Sequence, residues 1–181
     1  YIVFVCYLLF LFIPVRSLPS VLNKLKISLA DISIFVCCSK GLEMNSLKLP
    51  SQIVTSIFPK NKIAIISGPN FAAEIAKGLP AATTVASKSE EVSKKIANLI
   101  KSPTLRPYLS NDIIGSQIAG ALKNIYAIAS GIVVGKKYGD NAVASIISRS
   151  FAEITTVAKS MNAKKSTLTG LSGMGDLFLT C

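Results

Sequence analysis

Histidine is missing from all 181 residues of the chain. Its absence excludes Ser-His-Asp and Cys-His nucleophilic sites, imidazole metal sites and imidazole general bases. Acid–base work must therefore fall to lysine, carboxylate, tyrosine or thiol. Acidic residues are scarce too: 9 Asp and Glu stand against 20 Lys and Arg, a formal net charge of +11. Such a balance suits an anionic partner, for example a phosphate compound. The basic residues are mostly scattered lysines with few aromatics between them, the wrong pattern for a nucleic-acid stripe, and no nucleic-acid partner is expected. The four cysteines (Cys6, Cys37, Cys38 and Cys181) have no CxxC spacing, and no metal site is expected. Cys37 and Cys38 are adjacent within an apolar run and read as buried thiols of a reducing compartment. No repeat or low-complexity tract breaks the chain.

Apolar residues, by contrast, are abundant: half of the chain is hydrophobic and its mean hydropathy is +0.52. The longest apolar stretch, Ile113–Val134, holds a single charge, Lys123. A lysine there must be solvated, paired or working. Desolvation disfavours the ammonium form of a lysine, which is how enzymes obtain one that exchanges protons near neutral pH. The plainer readings are a snorkelling lysine on a globular helix or a blemish in a membrane span. Spans near 1–15 and 113–134 form the competing reading of a small membrane protein. Against it, a charge at mid-span costs about 2.5–3.5 kcal/mol even on permissive scales, and 1–15 is short for a span. No membrane span is expected.

Along the chain, apolar runs alternate with helical spacing. The charge-free segment 1–15 suits a buried parallel strand stopped by Pro14. Leu18, Val21, Leu22 and Leu25 place a helix over Ser17–Lys26. Asp31–Cys38 is a second strand, Ser46–Ile57 a helix limited by Pro50, and Lys62–Ile66 a third strand. Asn70 reads as the N-cap of a helix running to Lys77, stopped by Gly78 and Pro80. A strand over Ala82–Ala86 and an amphipathic helix over Ser89–Lys101 follow. This alternation implies a parallel α/β sheet whose ligands sit beyond the carboxyl ends of the strands. From about Asn111 the pattern turns helical: the Lys123 helix, a Gly135–Asp140 loop, a helix over Ala142–Met161 and a short final helix. A domain boundary is placed near residue 110.

Three turns carry the candidate chemistry. Ser39-Lys40-Gly41-Leu42-Glu43 sets a lysine at a strand's carboxyl end, where it could meet a phosphate, although a surface lysine before a glycine is ordinary. In Ser67-Gly68-Pro69-Asn70-Phe71-Ala72, Gly68 permits close backbone approach and Asn70 opens a helix whose free N–H groups favour an anion; the plainer reading, and the commoner one for such a segment, is a simple strand–helix turn. Gly170-Leu-Ser-Gly-Met-Gly-Asp176 is a glycine-dense loop around one carboxylate, which could instead cap a helix. Gly173 and Gly175 are not a dinucleotide fingerprint, since no strand precedes them and the spacing is wrong.

Taken in order, Lys-Gly-Leu-Glu, Ser-Gly-Pro-Asn-Phe-Ala-Ala-Glu, Leu-Pro-Ala-Ala, Gly-Ala-Leu-Lys-Asn-Ile-Tyr-Ala-Ile-Ala-Ser-Gly and Gly-Leu-Ser-Gly-Met-Gly-Asp-Leu-Phe-Leu-Thr-Cys resemble the bacterial type of NAD(P)-dependent sn-glycerol-3-phosphate dehydrogenase, from about Ile13-Pro14 to Cys181. The resemblance implies hydride transfer between NAD(P)H and dihydroxyacetone phosphate, giving sn-glycerol 3-phosphate for glycerophospholipid synthesis in the cytoplasm. It implies NAD or NADP as cofactor, without choosing between them, and admits a homodimer. By the motif matches, Lys123 serves the substrate's C2 oxygen as proton donor or acceptor. Lys40 lies near both cofactor and substrate, where two close ammonium groups disfavour each other's protonation. Gly68, Asn70, Asn124, Asp176 and Thr180 match substrate-binding positions, with Asp176 also orienting the lysine, and Ala72 matches a cofactor-binding position. Many relatives carry Thr or Ser where Asn70 stands.

The resemblance also fixes the expected architecture: residues 1–110 form part of an α/β, Rossmann-like NAD(P)-binding domain with a parallel sheet, and 111–181 begin an all-α substrate domain. The family's Gly-x-Gly-x-x-Gly turn does not occur in the chain, nor does the Arg-Asn pair that binds substrate phosphate and cofactor. Both are expected outside Tyr1–Cys181, and the 181 residues alone are expected to be inactive. A decayed gene product without activity shares every motif and remains the third reading.

Overall fold

Strands covered on both faces are built from near-continuous apolar runs, and the runs of this chain behave that way. The computed structural model describes residues 7–26 and 33–181. Among the described residues, five strands form one sheet in the order β1-β2-β3-β4-β5: β1 (Leu8–Leu11), β2 (Ile34–Cys37), β3 (Lys62–Ser67), β4 (Ala81–Ser87) and β5 (Leu105–Ser110). Interior strand β2, Ile-Phe-Val-Cys, is buried throughout, and its side chains alternate between two cores. Phe35 and Cys37 face Leu18, Leu22, Ile53, Val54 and Phe58, which come mainly from α1 (Leu18–Lys24) and α2 (Pro50–Ile57). Ile34 and Val36 face Val92, Ile96 and Ala97 of α4 (Glu90–Ile100). Helices thus cover both faces of the sheet.

Local signals explain most of the boundaries. Pro50 occupies the first turn of α2, and Gln52 Oε1 accepts from the Leu49 N–H at 2.9 Å; the expected start at Ser46 falls too early because proline fits best at a helix's first position. Ser89 caps α4 by accepting from the Val92 N–H, with Glu90 and Glu91 in its first turn. Segments 1–6 and 31–32 of the first two expected strands, and Cys6, lie outside the described residues. Cys37 is buried, but Cys38 is only half-buried; burial pushes both thiols up to about 12.

Two expectations are corrected, and one unforeseen strand is added. The sheet is not parallel throughout: β1, β2 and β3 are mutually parallel, whereas β4 runs antiparallel to β3. The connection between them holds only α3 (Ala72–Ala76), which buries none of its residues. It therefore does not cross a sheet face as a parallel connection requires, and the chain turns back at the same edge. Asn70 is not an N-cap; Phe71 holds that position, and the Asn70 side chain turns to β4 instead. Strand β5, parallel to β4, was not expected, because Arg106 and Pro107 interrupt its apolar pattern. Its place at the sheet edge is where a proline is tolerated.

The helical part begins at α5 (Gly115–Gly135), followed by α6 (Asp140–Ser160), α7 (Lys165–Leu168), a π-helical turn at Leu171–Gly175 and α8 (Asp176–Thr180). Buried Asp112 accepts from the Gly115 N–H at the head of α5 and from the Lys164 N–H before α7. One buried amide joins the sheet side to α5: Gln117 donates to Ser51 Oγ at 2.8 Å and accepts from the Ser51 N–H at 3.0 Å. Replacing Gln117 with Leu leaves both Ser51 groups buried and unpaired. The expected outcome is a loss of about 1–3 kcal/mol of unfolding free energy, read as a lower urea midpoint at unchanged m-value.

Candidate active site

Four segments far apart in sequence meet at the carboxyl edge of the parallel strands. Lys40 follows β2, Gly68 follows β3, Lys123 stands in the third turn of α5, and Asp176 opens α8. Asp176 is 1% exposed, and its two oxygens are divided between two cations. Oδ2 accepts from Lys40 Nζ at 2.6 Å and Oδ1 from Lys123 Nζ at 2.8 Å. Lys123 also donates to Thr180 Oγ1 at 2.9 Å. The Thr180 hydroxyl spends its own proton on the Asp176 carbonyl, one helical turn back, at 2.8 Å. Lys40 completes its contacts on the Gly68 carbonyl at 3.0 Å. The Asp176 side chain is thus occupied by lysines and is not a helix cap; Gly175 takes the N-cap position.

Two glycines make the approach possible. Gly68 has φ +140, a conformation that side-chain-bearing residues rarely adopt. Gly120 lies one turn before Lys123 on α5, and a Cβ there would sit 3.2 Å from Lys40 Cδ and 3.3 Å from Asp176 Oδ2. A side chain at that position would crowd both members of the Lys40–Asp176 ion pair.

The charges do not balance. Two ammonium groups share one carboxylate, which leaves a net positive centre, with side-chain exposure of 27% for Lys40 and 12% for Lys123. Burial pushes the Lys40 pKa down; Asp176 opposes this, and the Lys123 charge adds to the lowering. Cys181, beyond Thr180, has its thiol raised by burial, an effect the Lys123 charge opposes. A positive, partly desolvated centre of this kind stabilises an oxyanion or a phosphate far better than the same charges in bulk water.

The other expected site residues are placed as follows. Asn70 lies beside Gly68, and its Nδ2 donates to Thr83 Oγ1 at 2.8 Å. Asn124 and Ala72 are exposed, and neither enters the hydrogen-bond set of Asp176. Sequence reasoning missed Thr83, a buried threonine within β4, and Gly120, an ordinary helical glycine until its neighbours are known. A cavity of about 620 Å³ bounded by residues of α2, β3 and the loop before α4 includes none of the site residues.

Comparison with known proteins supplies a family. Models described as the N-terminus and the C-terminus of NAD-dependent glycerol-3-phosphate dehydrogenase match residues 5–93 and 112–181. The chain is 46% identical over 169 residues to glycerol-3-phosphate dehydrogenase (NAD(P)+) of Zymomonas mobilis, covering 93% of this chain and 49% of that protein. With the enzyme of the same name from Caulobacter vibrioides it shares 50% identity over 146 residues, covering 81% and 44%. The crystal structure of glycerol-3-phosphate dehydrogenase from Coxiella burnetii superposes with TM-score 0.90 at 34% identity, covering 97% of this chain and 54% of that one. The yeast glycerol-3-phosphate dehydrogenase superposes with TM-score 0.85 at 27% identity, covering 96% and 53%. The chain spans about half the length of the curated relatives it matches.

The Lys40 environment has a pH signature. The folded chain holds this proton less tightly than the unfolded one, so stability from this group rises with pH in the window between its lowered pKa and the ordinary 10.5. Because Asp176 raises the Lys40 pKa, Asp176→Asn should move it further down. Titration of the Lys40 13Cε resonance in both forms checks this; an upward or absent shift counts against the pairing.

Proposed function

Because the chain belongs to the NAD-dependent glycerol-3-phosphate dehydrogenase family, we propose that it supplies the lysine–carboxylate centre of an enzyme interconverting dihydroxyacetone phosphate and sn-glycerol 3-phosphate. The observation that carries this reading is the Asp176 carboxylate shared by Lys40 and Lys123. Lys123 donates a proton to the C2 oxygen as the ketone is reduced and takes it back in the oxidation. Asp176 and Thr180 hold its ammonium group in one position, so little reorganisation is needed at the moment of transfer. Lys40 contributes the second positive charge beside the same oxygen, and Gly68, Asn70 and Asn124 form the substrate's surroundings.

NAD or NADP supplies or accepts the hydride when bound. The chain offers it the common carboxyl edge of β1, β2 and β3, the usual place for such a ligand in an open α/β sheet. There Gly41 and Gly68 both have positive φ, and Lys40 and Ala72 are the residues that would touch it. The pyrophosphate cradle, Gly-x-Gly-x-x-Gly, does not occur in these 181 residues. We therefore assign turnover to the complete protein, as a soluble cytoplasmic enzyme supplying glycerophospholipid synthesis, and read its homodimerisation from family membership alone.

The decisive experiment is Lys123→Met in the full-length protein. Removing a proton-transfer group lowers kcat by a factor of about 10²–10⁴, while cofactor affinity, measured by NADH fluorescence titration, stays near the wild-type value. Retained turnover would take Lys123 out of the mechanism. The 181-residue chain alone should show no oxidation of NADH with dihydroxyacetone phosphate.

A further inference from the structure

Behind the substrate turn, buried Thr83 is 1% exposed and reaches it from β4. Its hydroxyl has one proton, and that proton is committed: Thr83 Oγ1 donates to the Ser67 carbonyl at 3.1 Å. The same oxygen can then only accept from the Asn70 carboxamide, which it does from Nδ2 at 2.8 Å. The threonine therefore decides which way the amide faces. Asn70 Oδ1 is left as a buried acceptor with no hydrogen-bond partner among the described residues, and the Ser67 hydroxyl, donor and acceptor both, is likewise unpartnered. Buried polar atoms are rarely left so. The next carbonyl along, that of Gly68, is already bonded to Lys40 at 3.0 Å, so the turn that carries Asn70 also carries a contact of the Lys40–Asp176 pair. A neutral amide oxygen gains nothing from a phosphate oxygen, which is also an acceptor; it is satisfied by an O–H donor.

Resting on the dehydrogenase reading above, we propose that Thr83 is a positioning residue that locks the Asn70 carboxamide with its oxygen free, so that this corner of the site selects the terminal hydroxyl of the substrate and leaves the phosphate to the cationic side. Dihydroxyacetone phosphate and sn-glycerol 3-phosphate both carry that hydroxyl. The reversal of β4 is what places Thr83 here: Ser67 pairs with Thr84 in the antiparallel register, which sets the preceding threonine behind the turn.

The test compares two substrates in the full-length protein: dihydroxyacetone phosphate, and the analogue in which a methyl group replaces its hydroxymethyl group. The ratio of their kcat/KM values reports selection for the hydroxyl. In Thr83→Val the amide is free to rotate, and the ratio should fall about tenfold, the worth of one hydrogen bond. Thr83→Ser, which keeps both bonds, should restore the wild-type ratio, a pattern that a purely structural role for the threonine would not produce. Asn70→Ala removes the acceptor without entering β4 and should lower the ratio equally, which keeps the test decisive should Thr83→Val fail to fold. A wild-type ratio in Thr83→Val or in Asn70→Ala would overturn the proposal. No turnover by the wild type with either substrate would overturn the dehydrogenase reading itself.

Discussion

One carboxylate holds this molecule's chemistry and much of its tertiary structure together. Asp176 is almost fully buried, and a buried unpaired charge is among the most unfavourable things a fold can contain. It is tolerated because each oxygen meets a different lysine, one from the loop after β2 and one from α5. The dependence runs both ways. Without the carboxylate, two cations held close together with limited access to water would repel each other. The fold thus obliges the loop after β2, the third turn of α5 and the head of α8 to converge, and the convergence leaves a surplus of positive charge. A site built to be neutral would need a second acid, and the contacts of the two lysines include only one.

The sheet's arrangement follows the same logic. Three parallel strands deliver their carboxyl ends to one edge, where Lys40 and Gly68 stand. Continuing the parallel pattern would have required a helix packed across the sheet between β3 and β4. Instead, α3 stays exposed and the chain doubles back, so that β4 passes directly behind the turn it has just left. The antiparallel register then brings Thr83 to the Ser67 carbonyl and the Asn70 amide. A local choice of connection is what sets a hydrogen-bonding threonine beneath the turn.

How much of this could be read from residues alone varies with the kind of signal. Continuous apolar runs such as Ile34–Cys37 read as strands covered on both faces because they are short and rich in β-branched and aromatic residues. Lys123 stood out as a lone charge among apolar neighbours. The Lys40–Asp176 pairing is not visible in the sequence: the two residues are 136 apart, and the family resemblance ties Asp176 to Lys123 alone. β5 escaped notice because Leu105–Ser110 mixes Arg, Pro and Tyr with its apolar residues, and such a segment becomes a strand only when an edge is available. In sequence Asn70 has the form of a helix cap, since short polar residues favour the position before a helix. That preference lost to a tertiary hydrogen bond, since α3 is too short and too exposed to reward capping. Gly120 carried no signal at all, as its meaning depends on Lys40 approaching from elsewhere.

The apolar helix that first suggested a membrane shows why hydropathy needs a partner list. By length and composition α5 is long and apolar enough to cross a bilayer. Its first two turns, however, are buried against the body of the protein, with Gln117 bonded to Ser51. Its third turn is pinned by Lys123 to Asp176 and Thr180. Moving this helix into hydrocarbon would require either breaking a buried ion pair or carrying Asp176, Lys40 and the Gly68 turn along with it. The later turns expose Ile125, Ile128 and Ile132, yet they too are tied to the protein, since Tyr126 donates to Glu153 of α6 at 3.2 Å. The charge that looked like a flaw in an apolar segment is the anchor that fixes where that segment lies.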